Sequence, residues 1–151
     1  MSARNREKGA SFERYIANEL FLRLGISFRR DLDQYRERER GDLITDDENW
    51  PFLVECKKVR QISLGAWRKQ ATAAARKANR RPAVIYQPPY KPTAVSVPLS
   101  AFCDAWPSNE WAEITLDGFC LLAREIMAEP GNWQPNDYRD LRDRLVGKDA
   151  E

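Results

Sequence analysis

The stretch Phe52-Leu53-Val54-Glu55-Cys56-Lys57 sets two charges into an otherwise apolar run. Its alternation has the period of a β-strand, with Leu53, Glu55 and Lys57 on one face and Val54 and Cys56 on the other. A carboxylate and an ammonium then point the same way, roughly 6.6 Å apart along the strand. A strand built only for packing puts Leu or Val at such positions, because a charge in a core is costly. Upstream, Asp42 closes a polar loop and opens Leu43-Ile44, and Asp46-Asp47-Glu48-Asn49 has the composition of a turn. The turn is expected to fold this segment back onto the Glu55 strand, bringing Asp42 and Glu55 together in the spacing D-x12-E-x-K.

That residue set suits metal-dependent phosphodiester cleavage. The reaction needs a hard cation against the phosphate charge, and carboxylate oxygens are the ligands that Mg²⁺ prefers. Asp42 and Glu55 are the expected pair, with Mn²⁺ as a substitute ion. The backbone carbonyl of Cys56 lies between the two charged side chains and offers another oxygen, while the Cys56 sulfur is expected to face the core. Lys57 is placed to orient a water or to stabilise the anionic transition state. The same spacing also arises by chance in a chain with 23 acidic residues among 151, so it is the apolar setting of the charges that singles them out.

A third carboxylate lies upstream. Residues 8–24 carry Phe12, Ile16, Leu20 and Leu24 at four-residue intervals, which predicts an amphipathic helix with Ser2 or Ser11 as a cap. Glu13 flanks that stripe, with Ala17 one turn further on the same side. Leaning over the sheet, Glu13 would join Asp42 and Glu55 at a metal-bound water or a second ion; otherwise it is a solvated helix charge.

Downstream, six alanines between Leu64 and Asn79 predict a helix that ends before Pro82 in a basic cluster of Arg76, Lys77, Arg80 and Arg81. Its small face suits close packing on a sheet. Ala83-Val84-Ile85-Tyr86-Gln87 reads as a buried strand, Thr93 to Val97 as an edge strand, and Pro98 to Phe102 as a short helical start. Beyond it come Trp106, Trp111, Phe119 and Trp133, a strand candidate at Glu113-Ile114-Thr115-Leu116 and a terminal helix in DYRDLRDRLV, residues 137–146. Tryptophans stack on unpaired bases in some proteins, but in this acidic region packing or dimerisation is the expected use.

Charge separates along the chain. Residues 1–81 hold 19 Lys and Arg against 12 Asp and Glu, and residues 82–151 hold 6 against 11. Positive potential therefore gathers around the Asp42 and Glu55 region, as a polyanionic partner requires. Arg4, Arg6 and Lys8 form a basic N-terminal arm, and Arg29 with Arg30 edge the expected pocket; these are candidate phosphate contacts, with ordinary surface solvation as the alternative.

Composition also excludes chemistry. With no histidine in the chain, Ser-His-Asp and Cys-His catalysis and histidine-ligated metals are out of reach of its own residues. No G-x-x-x-x-G-K-[ST] or G-x-G-x-x-G run is present, so no nucleotide cofactor is expected. Cys56, Cys103 and Cys120 show no C-x-x-C spacing and read as reduced thiols. There is no 18-residue apolar stretch and no signal-like start, so a membrane span and secretion are not expected and the cytoplasm is the expected compartment. At 151 residues the chain fits one compact α/β domain over 1–151, with a core at about 4–98 and a tryptophan-rich extension over about 99–151.

The runs Arg6-Glu7-Lys8-Gly9-Ala10-Ser11-Phe12-Glu13-Arg14, Gly25-Ile26-Ser27-Phe28-Arg29-Arg30, Gly41-Asp42-Leu43-Ile44 and Val54-Glu55-Cys56-Lys57, in that order, resemble the archaeal-type Holliday junction resolvases, also carried by phages, of the PD-(D/E)xK nuclease superfamily. The resemblance spans about residues 4–98. It implies a restriction-endonuclease-like core, a mixed sheet flanked by helices, with Glu13, Asp42, Glu55 and Lys57 in the motif positions. It further implies a homodimer that binds four-way DNA junctions and cuts them symmetrically with Mg²⁺. Gln70 resembles the glutamine that related nuclease families place on the helix after E-x-K to position substrate or the lysine; a plain surface glutamine is the alternative. Two departures stand out: Asp31 replaces the family's frequent serine, and the 31–41 loop, with Arg36, Arg38 and Arg40, is longer than usual. Substrate preference is where those departures would tell, with duplex or flap DNA as the alternative substrates and a non-catalytic DNA-binding module as the alternative class.

Overall fold

The computed structural model describes residues 3–32 and 41–129. Among the described residues three helices, α1 (Ala3–Leu24), α2 (Leu64–Ala78) and α3 (Leu116–Ala128), flank six strands: β1 (Arg29–Arg30), β2 (Leu43–Ile44), β3 (Phe52–Lys57), β4 (Arg81–Tyr86), β5 (Ala94–Pro98) and β6 (Trp111–Thr115). The strands form one mixed sheet in the order β1-β2-β3-β4-β5-β6. Only β3 and β4 run parallel, because α2 carries the chain back between them; every other neighbouring pair is antiparallel. This is the expected α/β arrangement, a mixed sheet flanked by helices.

The pleat divides the core. Phe52 and Val54 of β3, Ala83 and Ile85 of β4 and Val95 and Val97 of β5 face α1 and α3, where Phe12, Ile16, Leu20 and Phe119 close over them. Val84 and Tyr86 turn to the opposite face and meet Trp67 and Ala71 of α2. Ala71 and Ala75 are fully buried, so the alanine face lets α2 approach the sheet closely, as its composition implies. Asn79 ends that helix in the left-handed conformation, φ 53°, with its amide donating back to Ala75 and Arg76.

Several expected boundaries move. The helix starts at Ala3 rather than Lys8, since Ala3 to Lys8 contains no breaker, and the basic arm of Arg4, Arg6 and Lys8 is helical. Ser11 is therefore inside the helix and caps nothing; its hydroxyl accepts from Arg14 at 3.5 Å. Arg81 leaves the basic helix end and opens β4, buried beside Asp104 at 3.6 Å. The strand at 94–98 is not an edge, because β6 pairs with it from Ala94 opposite Thr115 to Pro98 opposite Trp111. Thr115 then caps α3 by accepting from the Gly118 amide at 3.0 Å. Ser2, Arg36, Arg38, Arg40, Trp133 and the helix expected at 137–146 lie outside the described residues. Among the described residues, no helix is long and apolar enough to cross a membrane.

Candidate active site

The site forms where β2 ends against the middle of β3. Leu43 pairs with Val54, and the Asp42 amide donates to the Val54 carbonyl at 2.8 Å. Here the backbone ladder stops and a side chain continues it: Asp42 Oδ2 accepts from the Cys56 amide at 2.7 Å. In a strand the N–H and C=O of one residue point to the same side. The Cys56 carbonyl therefore points to the edge that the Asp42 carboxylate occupies. Gly41 makes the close approach possible. Its φ is +76°, and a Cβ there would stand 2.6 Å from the Val54 carbonyl oxygen.

Glu55 is 4 % exposed and Asp42 8 %. Their carboxyl groups share a hydrogen bond, and burial together with the Asp42 charge pushes the Glu55 carboxyl up to about 9. Burial therefore favours the protonated Glu55 carboxyl unless a cation takes the proton's place. That donor set, two carboxyls with a backbone carbonyl beside them, fits a hard divalent ion. Lys57, two residues further along the same face of β3, donates from Nζ to Gln70 Oε1 of α2 at 3.1 Å. So the strand and helix that the sequence marked do meet through these two side chains.

Glu13 is at the rim. Arg30 Nε donates to its Oε2 at 2.6 Å. Burial raises the Glu13 carboxyl, opposed by the Arg30 hydrogen bond and reinforced by the Asp42 charge. Glu13 thus feels Asp42 electrostatically while its oxygen is held by Arg30. Among the described residues, no group of three or more His, Cys, Asp or Glu side chains is gathered so as to hold a metal ion. The three expected carboxylates are therefore a hydrogen-bonded pair and a neighbour held by an arginine. The Cys56 side chain is part-buried and packs against the core, and burial first, then the surrounding carboxylates, pushes its thiol well up, away from thiolate chemistry.

The candidate phosphate contacts fall into two sets. Arg4, Arg6 and Lys8 stand exposed on the first turns of α1. Arg29 instead pairs with Asp46 at 3.0 Å, and Arg30 with Glu13. These two pairs are what sequence reading missed, because partners 17 residues apart meet only when β1 lies beside α1 and the β2–β3 turn. It also passed over the cations right after the E-x-K strand. Lys58 and Arg60 line an open groove with Lys8, Gln87 and Lys91. The signal was present in the sequence as Lys57-Lys58-Val59-Arg60.

No curated protein matches this chain. The structure is similar to that of a Holliday junction resolvase, Hjc, of the archaeal hyperthermophile Archaeoglobus fulgidus, with 16% sequence identity, a TM-score of 0.46, and coverage of 80% of this chain and 96% of that one. The sequence model of the phage putative PDDEXK endonucleases matches residues 4–139. With nine-tenths of its length under that match, the chain belongs to the phage PDDEXK endonuclease family.

Proposed function

We propose that this nuclease hydrolyses DNA phosphodiesters with Mg²⁺, or Mn²⁺ in its place, and that its substrate is a four-way junction cut by a homodimer. The observation that carries the proposal is the buried, hydrogen-bonded pair of Asp42 and Glu55 with Lys57 on the same strand face. Asp42 and Glu55 hold the cation through their carboxylates, helped by the Cys56 carbonyl. When bound, a divalent ion neutralises phosphate charge and lowers the pKa of water toward neutrality. On loading, the Glu55 proton would pass to solvent, and Asp42 would keep its hydrogen bond from the Cys56 amide. Lys57 stabilises the charge that develops on the phosphate, held in line by Gln70. Glu13, through Arg30, shapes the rim. Arg4, Arg6 and Lys8 meet phosphates of the arms. Arg29 joins them by exchanging Asp46 for phosphate, an exchange that an exposed pair permits at little cost, while the part-buried Arg30 stays on Glu13 and offers its remaining N–H groups to phosphate.

The choice of a branched substrate rests on the order of the four motifs from Arg6 to Lys57, which is that of junction resolvases. A labelled synthetic junction beside a linear duplex of the same arm sequence tests it. Paired nicks at symmetric positions on the junction are expected. Equal cutting of the duplex would make the protein a duplex or flap nuclease. Tight binding without cutting in either metal would leave a DNA-binding module.

A further inference from the structure

The loop between β4 and β5 carries an aromatic ring in a place that turn geometry reserves for glycine. Pro88-Pro89-Tyr90-Lys91 closes with the Lys91 amide donating to the Pro88 carbonyl at 3.3 Å. Tyr90 has φ 58°, the left-handed conformation at the third position of a turn whose second position is proline. Glycine or asparagine normally stands there, because a side chain is disfavoured. Yet Tyr90 is fully exposed and gains no burial in return.

The loop is nevertheless well braced. The Gln87 side chain donates to the carbonyls of Pro88 and Lys91 and accepts from the Thr93 hydroxyl at 2.8 Å. Its root is tied to the active site, since the Gln87 amide donates to the Lys57 carbonyl at 3.3 Å. A strained, solvent-facing aromatic on a braced loop is a poor structural choice and a good contact surface. Its surroundings state the chemistry of what it contacts. Lys8, Lys58, Arg60 and Lys91 line the same open groove of about 460 Å³, and among the described residues no acidic side chain lines it.

We infer that Tyr90 is a stacking platform for an unpaired base, with the groove cations receiving the phosphates on either side of it. The inference rests on the nuclease reading above and deepens it, because it names what the site requires of its DNA: a base released from its stack beside the cleavage position. Every base has a π-face, so this contact selects for distortion and not for sequence. The absence of carboxylates in the groove disfavours a basic peptide as its occupant. A loop braced by its own hydrogen bonds spends less entropy on ordering at the moment of contact.

The test uses the full chain in EDTA, where binding is read without cleavage, and two fluorescein-labelled DNAs: a fully paired duplex and the same duplex with one unpaired 2-aminopurine. Tyr90→Ala is expected to weaken binding of the second DNA about tenfold and of the first less than twofold. Tyr90→Phe is expected to bind as wild type and to quench 2-aminopurine fluorescence as wild type does. Tyr90→Gly is expected to lose the same affinity as Tyr90→Ala while raising the melting midpoint by a few degrees, about 2–5 °C, because it relieves the backbone. A merely structural tyrosine gives the opposite pattern in that last variant. Equal binding of both DNAs by wild type and Tyr90→Ala, in a protein that still cuts DNA with Mg²⁺, overturns the stacking role alone. A wild type that neither binds nor cuts these two DNAs or a four-way junction overturns the nuclease reading with it.

Discussion

Lys57 of β3 and Gln70 of α2 are joined by a 3.1 Å hydrogen bond from the ammonium to the amide oxygen, across the space between sheet and helix. The bond fixes the one cation on the strand face that also carries Glu55. A lysine on four rotatable carbons otherwise spends its time among many rotamers.

Removing either partner therefore acts through the same geometry. Lys57→Ala is expected to lower the single-turnover cleavage rate by at least 100-fold, and Gln70→Ala by about tenfold, with DNA affinity nearly unchanged in both. The double variant is expected to be no slower than Lys57→Ala. Additive losses, measured in a rapid-quench double-mutant cycle, would mean that Gln70 acts independently of the lysine.

Gly41 is required by space as well as by conformation. A Cβ would sit 2.6 Å from the Val54 carbonyl oxygen and 3.1 Å from the Leu53 side chain, at a φ of +76°. Gly41→Ala should cost about 2–4 kcal/mol in urea unfolding. It should also reduce cleavage, because Asp42 follows directly on the displaced residue.

Glu55 makes the stability of the metal-free protein depend on pH with a definite sign. Its folded carboxyl is raised from 4.5 to about 9 by burial and by Asp42, so the protonated form is favoured in the fold. The contribution of this group is complete below the unfolded value and is lost as pH climbs toward about 9. Glu55→Gln, which cannot ionise, should be the more stable protein at pH 8 by about 1–3 kcal/mol and match wild type near pH 4. Adding Mg²⁺ should stabilise wild type at pH 8 and leave the variant unmoved. Parallel stability profiles for the two proteins in EDTA would remove the buried-acid account.

Arg68 holds α2, and with it Gln70, against the far strands. Its Nε donates to the buried Ser96 hydroxyl at 3.0 Å, its guanidinium pairs with Glu113, and it lies 5.6 Å from the Trp111 ring centre. Arg68→Ala is expected to lower stability by about 1–3 kcal/mol, since Ser96 on β5 is left without this donor. Thermal denaturation compared with Lys69→Ala, an exposed neighbour, separates the clamp from a general loss of charge.

What the sequence made legible follows from where period and chemistry coincide. Phe52 to Lys57 combines a strand period with two charges that the period sends to one face, and β3 forms over those six residues. The alanine run of α2 likewise announces both helix and close packing. The start of α1 was hidden because Ala3 to Lys8 is polar on all sides and carries helix propensity with no apolar stripe. The inward place of β5 was hidden because its cover, β6, is a half-exposed strand with little alternation, and its pairing is decided by α3 packing behind it. Of the candidate site, the meeting of Asp42 with Glu55 was legible in the apolar setting of the β3 charges and in the turn composition before them. The partner of Glu13 was not, since Arg30 reaches it only when β1 is laid beside α1.

The central claim is that Asp42 and Glu55 form the cation site of a DNA nuclease. It is tested most directly by the single-turnover cleavage rate of a four-way junction against free Mg²⁺, for wild type and for Asp42→Asn, which keeps an acceptor for the Cys56 amide. The account predicts saturable Mg²⁺ dependence, no cleavage in EDTA, and at least a 100-fold loss in Asp42→Asn with junction binding retained. Cleavage by Asp42→Asn at the wild-type rate, or cleavage by wild type that persists in EDTA, would contradict it.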